Sequence, residues 1–159
     1  MKQIPLTRGL VAIVDDEDYD MLMQWKWTYL NKGYAYRHIY DGHRYLRTAL
    51  MHRQIMGLLD TPSVKVDHIN HDGLDNRRSN LRRATQQQNQ WNCRKRSGKF
   101  PYKGIRKRPK RNWQALIELD GRCVTIGSFP TAEDAARAYD DCARRHFGEF
   151  ACLNFPEIP

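Results

Sequence analysis

The hydrophobic and polar positions in the first 30 residues predict strands and one short helix. Residues 2–14 alternate loosely between polar and apolar positions, as short strands do. Aspartates then offer N-cap chemistry for a helix over residues 19–24. Beyond that helix, aromatic residues recur at every second position, which indicates one buried face of a strand: Trp25, Trp27 and Tyr29.

The next segment predicts a β-hairpin followed by a short helix. Strands over residues 34–40 and 44–51 flank Asp41-Gly42, a dipeptide typical of the tight turns that join antiparallel strands. Residues 52–59 are predicted to form the helix. We expect the aromatic residues of this part to belong to the core rather than to a ligand-binding platform.

The pattern stops and restarts around residues 97–101, whose serine, glycine and proline are typical of a linker. Beyond it, a helix is predicted to begin after its N-cap Thr131 and to end at Gly148. Three strands joined by short turns precede this helix, over residues 102–108, 113–119 and 122–129.

These elements predict an α+β protein in two domains. Residues 1–92 form a first domain built on a mixed sheet, and residues 93–101 form a basic linker. Residues 102–159 form a second domain, in which a small three-stranded antiparallel sheet packs on one helix.

The distribution of charge indicates a polyanionic partner. The chain has 27 Lys and Arg against 18 Asp and Glu, a formal charge of +9. No acidic residue occurs in residues 76–117, which contain 14 of the basic ones together with aromatic residues. Nucleic acid and an anionic membrane surface are both compatible with this charge. Such a single-sign run is typical of a phosphate track, and a disordered basic tail fits less well because patterned segments stand on both sides.

The sequence gives little support for a membrane, a disulfide framework or a zinc ribbon. No stretch has the apolar length needed to span a bilayer, and the first ten residues lack a signal-peptide core. The four cysteines contain no C-x-x-C pair. We therefore expect a cytoplasmic protein, in a bacterial or phage-infected cell, without membrane partners.

The segment over residues 66–82, with residues 88–89 beyond it, holds most of the candidate chemistry. Hydrolysis of a phosphodiester needs an activated water and relief of charge on the phosphate. A histidine can take the proton of the water, and a hard divalent cation on oxygen ligands can relieve the charge. Asp67 and His68 suit these tasks, although adjacent strand residues point to opposite faces unless the strand end is bent. The alternative is a set of polar turns, which fits Asp72-Gly73 and Asp75-Asn76.

At these residues the chain resembles the HNH homing endonucleases of phages and introns, which have a ββα-metal core. The resemblance runs from Ile4 to about Asn92 and includes these matching segments: Ile4-Pro5-Leu6-Thr7, Val14-Asp15, Tyr34-Ala35 and Met51-His52-Arg53.

The resemblance implies a role for each matching site residue. His68 would be the general base, Asp67 and Asn89 would hold Mg²⁺ or Mn²⁺, and Asn80 would brace the loop and help orient His68. Because Asn89 stands where many members have histidine, zinc is less favoured than a hard cation. His52 and His71 are further candidates for contact with the metal or the phosphate.

The residues from Tyr102 to Pro156 resemble the plant ethylene-response-factor (Apetala-type) DNA-binding domain. The resemblance rests on these segments: Tyr102-Lys103-Gly104-Ile105-Arg106, Trp113, Ile126-Gly127-Ser128-Phe129, Thr131–Asp140 and Leu153-Asn154-Phe155-Pro156. It implies a sheet that enters the major groove of double-stranded DNA, with the helix behind it.

On that sheet Arg106 and Arg108 are the expected base readers, because a bidentate arginine on guanine is the commonest specific contact. Lys103, Lys107 and Lys110 are expected to neutralise phosphate. Other predicted DNA contacts are Gln114, Glu118 and Thr125 on the sheet and the phosphate-tracking residues Arg94, Lys95 and Arg96. Lys110 and Thr125 stand where the plant domains usually have tryptophan, so their recognition sequence should not carry over.

The sequence thus predicts a site-directed, divalent-metal-dependent DNA endonuclease that nicks or cuts double-stranded DNA. A monomer is favoured over a dimer, since no dimer surface is evident. One alternative is a transcription regulator whose HNH-like domain only binds DNA. Another is an RNA-binding accessory protein, although the major groove of RNA is too narrow for a sheet.

Overall fold

The structure, a computed structural model, describes residues 1–94, 100–109 and 112–156. The chain divides into two compact units, residues 1–89 and residues 90–159. Strands and helices together form several small sheets with a few helices, so the predicted α+β class is confirmed. Among the described helices, none has the length and apolar character to cross a membrane.

The first unit contains seven strands and the helices that connect them. Its elements are β1 (Lys2–Pro5), β2 (Val11–Val14), α1 (Asp16–Leu22), β3 (Thr28–Leu30), β4 (Tyr34–Asp41), β5 (Arg44–Leu50), α2 (Met51–Ile55), β6 (Lys65–His68), β7 (Leu81–Ala84) and the first residues of α3 (Gln86–Trp91). The strands form three sheets, β1–β2, β3–β4–β5 and β6–β7.

The prediction of a mixed sheet in the first domain is wrong. Every named strand pair within the described residues is antiparallel, and parallel pairing is limited to one isolated bridge between Ile13 and Asp75. The hairpin over residues 34–51 and the two strands within residues 2–14 are confirmed.

The strand predicted from the alternating aromatic residues is largely absent, because β3 begins only at Thr28. Trp27 is nevertheless almost fully buried, and its indole Nε1 donates to the carbonyl oxygen of Leu22 at 2.8 Å. The indole is thus held by the end of α1 rather than by a sheet. Trp27 is thus buried as predicted, whereas Trp25 and Tyr29 are only half-buried and the extended backbone is confined to β3.

The core of the first unit gathers side chains from most of its elements. Its buried members are Ile4, Leu6, Ala12, Val14, Leu22, Trp27, Ala35, Met51, Ile55 and Leu81. Strand β2 also supports the loop after β6, because Ile13 N donates to Leu74 O and Asn76 N donates to Ile13 O, both at 2.8 Å. These two backbone bonds fix the loop that surrounds the candidate site.

The second unit is a three-stranded antiparallel sheet with one helix, as predicted. Strands β8 (Ile105–Lys107), β9 (Trp113–Leu119) and β10 (Arg122–Phe129) lie in the order β10–β9–β8. Helix α4 (Ala132–Phe147) begins after Thr131, whose Oγ1 accepts from Asp134 N at 3.1 Å.

The first strand of this sheet is shorter than predicted because of Gly104. Its φ of +74° is a left-handed conformation that interrupts an extended strand. A Cβ built at this position would lie 1.9 Å from Cδ2 of Tyr139. Glycine is therefore required where the backbone crosses the helix.

A buried carboxylate ties the end of the described chain to α4. Asp140 Oδ1 accepts from Asn154 N at 2.8 Å and from Asn154 Nδ2 at 3.0 Å, and Oδ2 accepts from Phe155 N at 2.8 Å. Asn154 in turn accepts from Lys103 N at 2.6 Å. These bonds join the helix, the entry to β8 and the final segment.

Candidate functional site

The predicted chemical centre forms a β-hairpin followed by a helix. Asp67 and His68 are the last two residues of β6 and pair with Arg82 and Leu81 on β7. Only 5% of Asp67 and 6% of His68 is exposed. Arg82 lies against the carboxylate, with Nε donating to Asp67 Oδ2 at 2.9 Å and Nη2 at 2.8 Å from it.

The long loop between the two strands is held by side-chain amides. Asn80 Oδ1 accepts from Asn70 N at 2.9 Å, while Asn80 Nδ2 donates to Asn70 Oδ1 at 2.9 Å and to Asp75 O at 2.8 Å. The carbonyl of Asn80 accepts from Ile69 N at 2.9 Å. Asn80 therefore crosslinks both ends of the loop next to His68.

Arg77 and Asn70 fix the second carboxylate of this loop. Arg77 Nε and Nη2 donate to the two oxygens of Asp75 at 2.7 and 2.6 Å, and Asn70 Nδ2 donates to Oδ2 at 2.8 Å. The hydrogen bonds from Arg77 hold the pKa of Asp75 below its usual value, against the opposing effect of burial. Asp75 is consequently ionised and committed to the loop structure.

Asn76 is a site residue that the sequence interpretation assigned only to a turn. It is fully buried, and its Oδ1 lies 3.4 Å from His68 Nε2. The Asp75-Asn76 pair is explained by turn propensity alone, so the local sequence gives no signal that Asn76 belongs to the site.

Two more aromatic rings surround His68. The rings of His52 and His68 lie 4.9 Å apart at an angle of 87°, and the ring of Tyr34 lies 5.3 Å from His52 and 5.7 Å from His68. His52 is 5% exposed, and its Nδ1 has no hydrogen-bond partner among the described residues. His71, the other extra candidate, occupies a turn with φ +66°.

Burial decides the charge of both histidines. It lowers the pKa of His52 to about 3, with smaller contributions in the same direction from His68 and Arg53. Burial also lowers the pKa of His68, although Asn76 and nearby carboxylates act in the opposite direction. Both rings are therefore neutral near pH 7, the state in which a histidine can accept a proton.

Asn89 lies on α3, the helix that follows the hairpin. It lines an open pocket of about 380 Å³ together with these residues: Tyr34, Leu50, His52, Arg53, Leu59, Pro62, Lys65 and Val66. Within the described ranges, no group of three or more His, Cys, Asp and Glu could hold a metal ion.

An ion pair from the start of the chain fastens the other side of the loop. Arg78 Nε and Nη2 donate to the two oxygens of Asp18 at 2.9 and 2.7 Å, and Arg78 N donates to Asp15 Oδ2 at 2.8 Å. The side chain of Asp18 is only 4% exposed. The sequence interpretation gave these aspartates an N-cap role, but no side-chain cap bond is formed at Asp15.

The predicted base readers share one partner on the exposed face of the second unit's sheet. Arg106 pairs with Gln114 across β8 and β9, and its Nη2 donates to Gln114 Oε1 at 3.0 Å. Arg108 Nε donates to the same oxygen at 2.8 Å. Glu118 and Thr125 are also exposed, while Ala115 and Ile117 are buried on the opposite face.

Lys103 differs from the prediction that it contacts phosphate. Its Nζ donates to Trp91 O at 2.7 Å and to Cys93 O at 2.8 Å, and burial lowers its pKa. The ammonium therefore joins two backbone carbonyls instead of facing solvent. Arg94 is exposed, whereas the predicted contacts Lys95, Arg96 and Lys110 lie outside the described residues.

Comparison with known proteins supports both resemblances. The profile of the HNH endonuclease family matches residues 52–91. An uncharacterized HNH endonuclease of Acanthamoeba polyphaga mimivirus is 37% identical over 153 residues, which cover 92% of this chain and 76% of that protein.

Two plant proteins match a shorter part of the chain. An ethylene-responsive transcription factor of Arabidopsis thaliana is 50% identical over 68 residues, 38% of this chain and 27% of the factor. A dehydration-responsive element-binding protein of Oryza sativa subsp. indica is 45% identical over 58 residues, 35% of this chain and 21% of that protein. The likeness lies in the C-terminal region, and both predicted resemblances are confirmed.

Proposed function

This chain belongs to the HNH endonuclease family, and from that membership we propose that it is a divalent-metal-dependent endonuclease acting on double-stranded DNA at selected sites. The observation that carries the proposal is that His68, buried and neutral, and the buried carboxylate residue Asp67 are the last two residues of β6. A proton acceptor and an anionic oxygen ligand are the two groups that metal-assisted phosphodiester hydrolysis requires.

The donor set fits a hard cation that keeps water ligands. Asp67 and Asn89 would hold it through a carboxylate and an amide oxygen, and Mg²⁺ is commonly bound through one or two such groups plus phosphate. No thiolate or second carboxylate is required. Arg82 forms an ion pair with Asp67. A bound cation would supply charge neutralisation at the scissile phosphate and at the leaving oxygen.

His68 would accept the proton of the attacking water. Asn76 Oδ1 lies 3.4 Å from His68 Nε2. In the tautomer that carries its proton on Nε2, the ring would donate to this oxygen, and Nδ1 would be the nitrogen that accepts the proton of the water. His52 and Tyr34 pack on the imidazole and exclude solvent from it. Asn80 keeps the loop closed around these groups, and this is the role in which we place it.

The second unit would select the DNA target. Its plant relatives are by name an ethylene-responsive transcription factor and a dehydration-responsive element-binding protein. Its exposed sheet face carries Arg106 and Arg108, which both donate to Gln114. Each of these arginines could donate two hydrogen bonds to the two acceptors that guanine presents in the major groove. Target selection by this face and cutting by the first unit are separate functions.

The proposal is tested by cleavage of supercoiled plasmid containing a target site, with Mg²⁺ or with excess chelator. His68→Ala should lower the cleavage rate by about 10²–10⁴-fold, the range for loss of a general base, with DNA affinity unchanged. His146→Gln, at an exposed position of α4, is the control for loss of a histidine and should cleave at the wild-type rate.

Cleavage by the wild-type chain in excess chelator, or by His68→Ala at the normal rate, would refute the mechanism. Tight DNA binding without any cleavage by the wild type would instead support the transcription regulator.

A further inference from the structure

Helix α3, which carries Asn89, is too short to be stable by itself. It has six residues, and none of these six is buried. A helix of this length gains little from its own hydrogen bonds, because forming the first turn is costly. The groups that hold its two ends therefore decide whether it stays helical.

The N-terminal end of α3 is held by residues close to it in the chain. Thr85 Oγ1 accepts from Gln88 N at 3.1 Å, and Gln88 Oε1 accepts from Thr85 N at 2.8 Å. This reciprocal pair is a capping box. Asn89 N donates to Thr85 O at 3.0 Å, so the first turn is closed up to Asn89.

The C-terminal end of α3 is held by a residue more distant in the chain, Lys103. The last carbonyl groups of a helix have no partner within the helix. Lys103 Nζ donates to Trp91 O at 2.7 Å and to Cys93 O, just beyond the helix, at 2.8 Å. The ring of Trp91 also stacks on Phe147, with centroids 4.4 Å apart at an angle of 15°. One ammonium group therefore joins the last helical residue to the segment that follows it.

The backbone of Lys103 is itself fixed. Lys103 N donates to Asn154 Oδ1 at 2.6 Å, and Asn154 Nδ2 donates to Lys103 O at 3.1 Å. The residue is half-buried, whereas lysine is mostly exposed in folded proteins. Hydrogen bonds from an ionised donor are stronger than those between neutral groups. The ammonium of Lys103 is thus well suited to hold the end of α3.

The position of Asn89 depends on this end of the helix. Trp91 follows Asn89 by two residues, about 3 Å further along the helix axis. If the last turn unwound, the backbone at Asn89 would be released and its side-chain amide would move. A metal site requires its ligands to be held within about 0.5 Å of the productive geometry.

We propose that Lys103 is a positioning residue of the proposed metal site: its ammonium keeps the last turn of α3 formed and so holds the side-chain oxygen of Asn89 in place for the cation. The proposal rests on the proposed function, in which Asn89 is a ligand of that cation. It requires no contact of Lys103 with DNA or with the metal.

The test compares Lys103→Met, which keeps an unbranched side chain but loses the ammonium, with Lys103→Arg, which keeps hydrogen-bond donors. In Lys103→Met, hydrogen exchange of the backbone amides of residues 89–91 should be about 10-fold faster, because two charge-assisted hydrogen bonds are lost. Binding of Mn²⁺, followed by electron paramagnetic resonance, should weaken by about 10-fold or more, as expected when a group that orients a metal ligand is removed. Lys103→Arg should recover part of both losses.

Arg145→Met is the matched control, since it also removes one positive charge, at an exposed position of α4. It should match the wild type in amide exchange and in Mn²⁺ affinity.

Cleavage adds a readout that a merely structural role would not move. Lys103→Met should need more Mg²⁺ to reach half of its maximal rate, yet approach the wild-type rate at saturating Mg²⁺. Its affinity for duplex DNA and the salt dependence of that affinity should equal those of the wild type, because the ammonium neutralises no phosphate.

Wild-type exchange at residues 89–91 together with wild-type Mn²⁺ affinity in Lys103→Met would overturn the proposal. Equally faster exchange in β9 would also overturn it, because the effect would then be a general loss of stability. A salt slope reduced by about one unit would return Lys103 to the phosphate contacts. If the wild type bound Mn²⁺ but cut no DNA, the proposed function would fail, while amide exchange and Mn²⁺ affinity would still decide the role of Lys103.

Discussion

The two units differ in how many polar side chains they bury. In the described residues, the first unit buries seven polar or charged side chains: Asp18, His52, Asp67, His68, Asp75, Asn76 and Asn80. The second unit buries two, Asn92 and Asp140, and displays its arginines on an exposed sheet face. Electrostatic interactions are stronger in a buried site, so the first arrangement suits chemistry and the second suits recognition of a partner.

The largest effect that would sharpen this contrast is expected at Asn89. Asn89→Ala removes a neutral oxygen ligand, and we expect cleavage to fall by roughly 10³-fold or more, because a bound cation stabilises the transition state by several kcal/mol. Raised Mg²⁺ or Mn²⁺ should restore part of the rate. The measurement is the cleavage rate across a metal titration.

Gln87→Ala, an exposed substitution on the same helix, is its control and should leave the rate unchanged. If Asn89→Ala cleaved as fast as the wild type at limiting metal concentration, Asn89 would not be a metal ligand.

The next effect concerns stability and comes from His52. Its pKa is about 3 in the folded protein and about 6.5 when unfolded. The unfolded chain therefore binds the proton more readily between these values, so stability is complete above pH 6.5 and is lost as the pH falls toward 3. The loss amounts to at most about 5 kcal/mol.

This loss is measured as the difference in unfolding free energy between the wild type and His52→Gln across that pH range, since carboxylates titrate there in both proteins. His43→Gln, at the exposed hairpin turn, is the control for loss of a histidine. Parallel curves for wild type and His52→Gln would show that His52 is not buried in its neutral form.

A somewhat smaller effect would test whether the buried charge of the second unit is purely structural. Asp140→Asn presents an amide to Phe155 N, where the carboxylate accepted a bond. An unsatisfied buried group costs about 1–3 kcal/mol, and we expect about that loss of unfolding free energy in the second unit. Hydrogen exchange of α4 measures it.

Asp141→Asn changes the exposed neighbour, which forms only a surface ion pair with Arg144, and should cost at most about 1 kcal/mol. If Asp140→Asn instead lowered the rate of cleavage while leaving α4 equally protected, the contrast between the units would be broken.

The parts of the fold that were predictable from the sequence are those with local signals. Asp41-Gly42 closes its hairpin and Thr131 caps its helix through bonds to near neighbours in the chain. The failures depend on distant partners. Trp27 finds a carbonyl at the end of α1, and Lys103 finds the carbonyls of Trp91 and Cys93.

The candidate site was predictable to a similar extent. Asp67, His68 and Asn80 fall within one hairpin, and Asn89 falls on the helix that follows it, so spacing along the chain was enough to group them. Which amide approaches the ring of His68 could not be read from the sequence, because Asn76 reaches it through the fold of the loop. The register of the β4–β5 hairpin shifts between Ile39, which pairs with Arg47, and Tyr40, which pairs with Tyr45. This shift leaves no mark in the alternation of β5, so the exposure of Tyr45 could not be predicted from the sequence. The roles assigned to these residues stay predictions.

The smallest effect expected is on DNA selection by the second unit, and it distinguishes two kinds of arginine and lysine. Arg106 is held on a strand by Gln114, so it can present a fixed pair of donors to a base. Arg106→Ala should cost about 1–3 kcal/mol at the target site and relax preference at one or two base pairs. Lys95→Ala, within the basic run before β8, should weaken binding to all duplexes alike and reduce the salt slope by about one unit. The measurement is affinity for target and scrambled duplexes over a salt series.

Since both substitutions remove one positive charge, only a base contact makes the loss at Arg106 depend on sequence. Equal losses on both duplexes would make Arg106 a phosphate contact, and selection would then fall to Gln114, Glu118 or Thr125 on the same exposed face.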